Sequence, residues 1–276
     1  MSITAAEVNK LRQETGAGLM DCKKALVETN GDFEAAIDFL RKKGAKIAAN
    51  RAEREANEGV VIALTNEDST YGILLNLSAE TDFVSKNDEF IALAKEIAEL
   101  ALNTKPENVE ALNATPFKID TVANVLLDTV GRIGEKIEIK KFESVSGKGL
   151  VPYIHMGYRM GVIVELNQEL NDANTIVGKD VAMQIAAMNP IALDATGVSD
   201  ETKERERAIA REKAIAAGKP ESILDKISDG AVNSMLKEST LLSQPFVKDT
   251  GKTVEQYVKS VDKELKVIGF KRVSLS

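Results

Sequence analysis

The sequence predicts an α+β chain in which a helix-only segment precedes a two-part core, with a charged helical hairpin inserted into the second part. Three observations predict it. Residues 1–55 place their apolar side chains only at helical spacing. From Gly59 the pattern changes to apolar runs around a polar turn: Val60 to Leu64 and Tyr71 to Leu77 flank Asn66-Glu67-Asp68-Ser69, as in a hairpin. A second such pair, Leu150 to His155 and Gly161 to Leu166, follows, and the run beginning at Gly161 repeats the run beginning at Gly72 after 89 residues. Duplicated strand-strand-helix units are expected.

Thr4-Ala5-Ala6-Glu7 has the form of a capping box and opens the first helix, which carries Val8 and Leu11 on one face. Gly16-Ala17-Gly18 supplies the turn into a second helix with Leu19, Cys22 and Leu26 at helical spacing, ending at Asn30-Gly31. Asp32 caps a third helix with Phe33, Ile37 and Leu40 inward and Gly44 as its stop; residues 45–57 read as a helical linker. Within the core, Phe90, Leu93, Ala94, Ile97 and Leu100 mark a helix, as do Thr121 to Ile133 and Val177 to Met188. Ile137-Glu138-Ile139 alternates as a strand. Residues 198–240 form the hairpin, started by Ser199, broken at Gly218-Lys219-Pro220, and striped by Leu224, Ile227, Ala231 and Met235. Thr253 to Leu265 and Val267 to Val273 close the chain as helix and strand. The expected units are 1–55, 56–145, 146–197 with 241–276, and 198–240.

Composition narrows the function by exclusion. The net charge is −7 and basic residues are spread along the chain, which argues against non-specific nucleic-acid binding. Aromatics make up 4% with no Trp, too few for a base-stacking surface. One cysteine and one histidine, Cys22 and His155, do not make a Cys/His zinc cluster, and one cysteine makes no internal disulfide. No glycine-rich phosphate loop or nucleophile elbow is present. Met1-Ser2-Ile3-Thr4 lacks an apolar signal core, and no apolar run is long enough to span a membrane, so a cytoplasmic binding protein is expected.

Two long stretches then become recognisable: Leu11-Arg12-Gln13-Glu14-Thr15-Gly16-Ala17-Gly18-Leu19-Met20-Asp21-Cys22-Lys23-Lys24-Ala25-Leu26 and Glu80-Thr81-Asp82-Phe83-Val84-Ser85-Lys86. With Ile133 to Ile137, Tyr153-Ile154-His155, Arg159 to Val162, Ala186 to Pro190 and Gln244-Pro245-Phe246-Val247-Lys248, the chain resembles the bacterial elongation factor Ts family, guanine nucleotide exchange factors for elongation factor Tu. Two departures stand out. Ser78-Ala79 replaces the family's usual Asn followed by Cys or Ser, and the further helical module of some relatives does not follow Ser276. The resemblance implies a ubiquitin-associated-like N-terminal domain, the two-part core and a dimerisation hairpin at 198–240. It also implies no cofactor of the chain's own, because the nucleotide and Mg²⁺ belong to Tu, in its GDP-bound and nucleotide-free forms.

The residues leave alternatives open. Asp82-Phe83 reads either as a strand-to-helix turn with Phe83 in the local core and Asp82 near the helix cap, or as an exposed loop tip. The resemblance implies the second, with Thr81, Asp82, Phe83 and Val84 entering the Tu nucleotide domain near Mg²⁺. Leu19 and Met20 are adjacent and cannot both face inward on one helix; the resemblance sets them, with Arg12 and Val247, against a Tu helix. His155 is either a satisfied structural residue or, as the resemblance implies, a contact to another Tu domain.

Overall fold

A computed structural model describes residues 3–118 and 120–275; Met1, Ser2, Ile119 and Ser276 lie outside them, and with them what was expected of the extreme termini. Thr4 accepts the Glu7 amide at 3.3 Å while the Glu7 carboxylate accepts the Thr4 amide at 2.7 Å, so α1 (Ala5–Thr15) starts at its capping box. Gly16, at φ 67°, ends it. The helices α2 (Leu19–Glu28) and α3 (Phe33–Asn50) complete a bundle around Val8, Leu11, Cys22, Ala25, Leu26 and Ala36. Asp32 caps α3 by accepting the Ala35 amide at 3.0 Å.

One open alternative for this segment is decided and one expectation fails. Leu19 does not face the bundle: the inward face of α2 is carried by Cys22, Ala25 and Leu26, and Leu19 is exposed. Gly44 is no stop, because α3 continues for six residues beyond it. A Cβ on Gly44 would lie 2.6 Å from the Leu127 carbonyl oxygen, so this glycine allows close helix contact rather than chain reversal.

The first sheet unit comprises β1 (Glu58–Thr65), β2 (Tyr71–Ala79), the single turn α4 (Asp82–Ser85), α5 (Asp88–Thr104), α6 (Val109–Ala114), the short strands β3 (Pro116–Phe117) and β4 (Asp120–Thr121), α7 (Val122–Ile133) and β5 (Glu138–Ser146). The second comprises β6 (Gly149–His155), β7 (Met160–Leu166) and α8 (Asp172–Met188). The hairpin α9 (Asp200–Ala216) and α10 (Leu224–Ser239) comes next, then β8 (Pro245–Phe246), β9 (Asp249–Thr253), α11 (Val254–Val261) and β10 (Val267–Ser274). The two main sheets are antiparallel, in the orders β1-β2-β5 and β6-β7-β10. Thr65 pairs with Gly72 in the first, and Ile154 pairs with Gly161 in the second, each partner displaced by the same 89 residues.

The sheets pack face to face through Val61, Ala63 and Leu74 on one side and Leu150, Ile163 and Val273 on the other. A Cβ on Gly161 would fall 2.8 Å from Leu74 Cδ2 and 2.9 Å from Val61 Cγ1, so the sheets approach there through a missing side chain. Helices α5 and α7 cover the outer face of the first sheet, and α8 and α11 that of the second. The result is four layers, helix–sheet–sheet–helix. Every residue of β2 is buried, which is why it reads as a continuous apolar run and not as an alternation. On the hairpin, Arg207 pairs with Asp229 at 2.9 Å and Arg211 with Asp225 at 2.5 Å across the two helices, over a buried row of Leu224, Ser228 and Val232.

The α3–α7 contact gives a stability prediction. Gly44→Leu should lower the urea unfolding free energy by about 2 kcal/mol, the usual scale of overpacking. It should also speed proteolysis within 51–57 as α3 lifts from α7. Unchanged unfolding and cleavage would contradict the packing.

Candidate partner-binding site

The turn α4 is fixed from both sides at its base. Strand β2 ends at Ala79, and the Glu80 carboxylate accepts two hydrogen bonds from Arg51 Nη1, at 2.7 and 2.8 Å, and one from Arg54 at 3.2 Å. It also accepts the Lys136 backbone amide at 2.6 Å. One residue on, Glu135 accepts the Thr81 amide at 3.0 Å and the Thr81 hydroxyl at 2.7 Å. Residues 80–81 and 135–136 therefore hold each other reciprocally, each giving a carboxylate to the other's backbone. Burial pushes the Glu80 carboxyl up, but the Lys136 amide and the two guanidiniums outweigh it and hold its pKa below the ordinary value.

Above this base the turn presents Phe83, which is 85% exposed, while Val84 packs back against the core of the first sheet unit. The local-core alternative for Phe83 does not hold. Nor does Asp82 cap α5, since Asn87 does so by accepting the Glu89 amide at 2.8 Å. Asp82 pairs with Lys86 at 2.6 Å, and that hydrogen bond and charge lower its pKa.

The α1–α2 turn comes to the same side. Arg132 lies against Gly16 and pairs with Glu89 at 3.2 Å. Arg132 and Glu89 line a groove of about 240 Å³ with Phe83 and Val84, and a second of about 480 Å³ with Thr15 and Gly16. Phe83 and the turn that leads into α2 thus flank one ion pair. On that start Leu19 is 48% and Met20 73% exposed, and Arg12, at the end of α1, is exposed as well.

His155 ends β6 half-buried, its Nδ1 2.9 Å from the Tyr153 hydroxyl. The turn beyond it, Met156-Gly157-Tyr158, has three successive positive φ angles and leaves Met156 exposed. Arg159 pairs with Glu58 at 3.1 Å, and Glu58 is the β1 partner of Ala79. This turn therefore lies at the sheet end from which Glu80 and Thr81 emerge. Val247 is 42% exposed in the second unit, and no hydrogen bond, ion pair or groove among the described residues joins it to Phe83. Its amide donates to Gln184 Oε1 at 2.8 Å. Gln184 in turn donates to Gln244 Oε1 at 3.1 Å, and both glutamines are fully buried. Phe246 stacks on Tyr257 at 4.1 Å, and Lys248 and the Tyr257 hydroxyl both donate to Asp180 at 2.6 Å. The run Gln244 to Lys248 is a support, and Val247 is its outward apolar residue.

Sequence reasoning missed Arg51, Glu135 and Gln184. Glu135 lies in a recognised run, but 54 residues separate it from Thr81 and nothing local signals the pairing. Among the described residues no group of three or more His, Cys, Asp or Glu could hold a metal ion, and no helix is long and apolar enough to cross a membrane.

Comparison with known proteins adds to this geometry. The family described as elongation factor TS matches residues 80–276. The chain is 48% identical to the elongation factor Ts of Amoebophilus asiaticus over 273 residues, covering 99% of each chain. It is 47% identical to that of Flavobacterium psychrophilum over 274 residues, with the same coverage. Against the elongation factor Ts of Cytophaga hutchinsonii the identity is 48% over 276 residues, 100% of this chain and 99% of the relative.

The depressed Glu80 pKa has a signed consequence. A carboxylate whose folded pKa lies below its ordinary ~4.3 contributes stability that is full above that value and is lost as pH falls through the folded pKa. Glu80→Gln should be less stable than the native chain at neutral pH and converge with it in acid, giving a flatter stability curve below about pH 5. Parallel curves in a pH series of urea titrations would refute the ionised clamp.

Proposed function

The chain belongs to the elongation factor Ts family, and from that premise we propose that it binds elongation factor Tu–GDP and promotes GDP release so that GTP can rebind. The observation that carries the reading is an apolar ring, Phe83, held out in water on a turn whose base is clamped. Removing a Phe from water is worth ~1.5–3 kcal/mol, a gain available only when a partner supplies the pocket. In this reading Phe83 enters the nucleotide domain of Tu beside the Mg²⁺ and phosphate region, with Thr81 and Val84 at its flanks. Asp82, kept ionised by Lys86, brings a negative charge to a place that an anionic nucleotide would occupy. Met20, Leu19, Arg12 and Val247 grip a helix of the same domain, and His155 touches another domain of Tu.

No covalent step on the chain is required. Exchange is a coupling free energy: whatever weakens GDP in the complex makes GDP weaken the complex by the same factor. The nucleotide and Mg²⁺ remain Tu's, and the chain acts in the cytoplasm. The three-helix unit 1–55 serves as a ubiquitin-associated-like domain, and the shared strand order and 89-residue register offset support an origin of the two sheet units by duplication. The hairpin 198–240 serves for homodimer contact, with Ile215 and Ile223 as exposed apolar residues near its tip.

Release of labelled GDP from purified Tu tests the reading. The native chain should accelerate it, and Phe83→Ala should lose about ten- to a hundredfold of that acceleration, matching the burial of one ring. The melting temperature should stay unchanged, because an exposed side chain contributes little to the fold. No acceleration by the native chain would end the proposal; full acceleration by the variant would end the role of Phe83.

A further inference from the structure

We propose that Arg51 and Glu80 are positioning residues for exchange: they aim the Phe83 turn and make its aim depend on how the N-terminal helical unit is seated. The inference rests on the exchange reading above. Its physical basis is the shape of the clamp. Glu135 and the Lys136 amide hold residues 80–81 from the side of β5, which belongs to the same sheet as β2. Arg51 holds them from the other side, and Arg51 is the residue immediately after α3. Both Arg51 bonds come from one guanidinium nitrogen to the two oxygens of a carboxylate that is 11% accessible, where a charged hydrogen bond is stronger than at an open surface. Lys136 reinforces the link by donating through Nζ to the Ala52 and Arg54 carbonyls at 3.1 and 3.3 Å. Helix α3 is itself seated on α7 at the Gly44–Gly131 contact.

A displacement of α3 therefore reaches Glu80 most directly through the Arg51 side chain, with Arg54 and Lys136 as further links, and Phe83 lies three residues further on. The end of the same bundle presents Leu19 and Met20. Engagement of that bundle by a partner would fix α3, fix Arg51, and thereby fix the turn that carries Phe83. Neither residue is exposed at the turn's tip or needs to touch the partner; they act through Phe83.

The test is a double-mutant cycle on Tu-bound GDP release, using the full chain. Arg51→Ala should slow stimulated release by about tenfold, within the range known for small misplacements of an acting group. In a Phe83→Ala background the same change should have a much smaller effect, because the main group it aims is gone. Arg51→Lys should recover part of the loss, since a single ammonium restores the charge without the reach of the guanidinium. A far-ultraviolet circular dichroism melt with an unchanged folded signal keeps Arg51→Ala interpretable, and Glu80→Gln provides a second entry into the pair. Native-like release by both Arg51→Ala and Glu80→Gln would overturn the proposal. So would losses that multiply with that of Phe83→Ala, the signature of a general structural role. Failure of the native chain to accelerate release would instead overturn the exchange reading and this inference with it.

Discussion

Everything in the core follows from the face-to-face contact of two sheets at Gly161, where the first sheet comes so close that a methyl group would collide with Leu74 and Val61. Once that face of each sheet is closed, its strands must bury their other face too, and α5 with α7 and α8 with α11 supply the cover. Strands buried on both sides cannot carry charge along their length. The fully buried strand β2 accordingly carries no charged residue, while charged side chains fall on the flanking strands β5 and β10 and at strand ends, and the Glu80, Arg51, Glu135 and Lys136 cluster sits at one such end.

That confinement explains how an apolar ring comes to stand in water. A short turn leaving a buried strand would ordinarily fold its aromatic side chain onto the nearest apolar surface. Here Val84 takes the inward position, and the carboxylate-to-amide exchange between residues 80–81 and 135–136 fixes the backbone direction. Phe83 points away as a consequence. The exposure is imposed by hydrogen bonds made elsewhere, not by any preference of the residue itself.

Local signals in the sequence were legible where one residue determines a local geometry. The capping box at Thr4 and the turns at Gly16 and Asn66 to Ser69 sit where side-chain chemistry demands them. The strands were legible because double burial leaves long apolar runs. Gly44 was misread because a glycine that ends a helix and one that admits a neighbouring helix look alike in one dimension. Helical spacing alone left Leu19 open, because it shows which residues share a stripe but not where the covering element ends. The arrangement around Phe83 was hidden for a third reason. Its determinants, Arg51 and Glu135, lie 29 and 54 residues from their partners, and no periodicity reports such pairings.

A lone exposed hydrophobic residue carries little meaning, but Phe83 and the α1–α2 turn that leads to Leu19 and Met20 flank a single Arg132–Glu89 pair, with Met156 on a strained turn at the same end of the first sheet. Each is set there by a different device: a clamped turn, the first residues of a helix, a run of positive φ. An apolar surface assembled from parts that never touch gains little for the isolated chain, since each part leaves its own side chain in water. The gain comes when one partner covers several of them together. Rigid presentation then lowers the ordering cost of that encounter, which is what the hydrogen bonds at Glu80 and Glu135 supply.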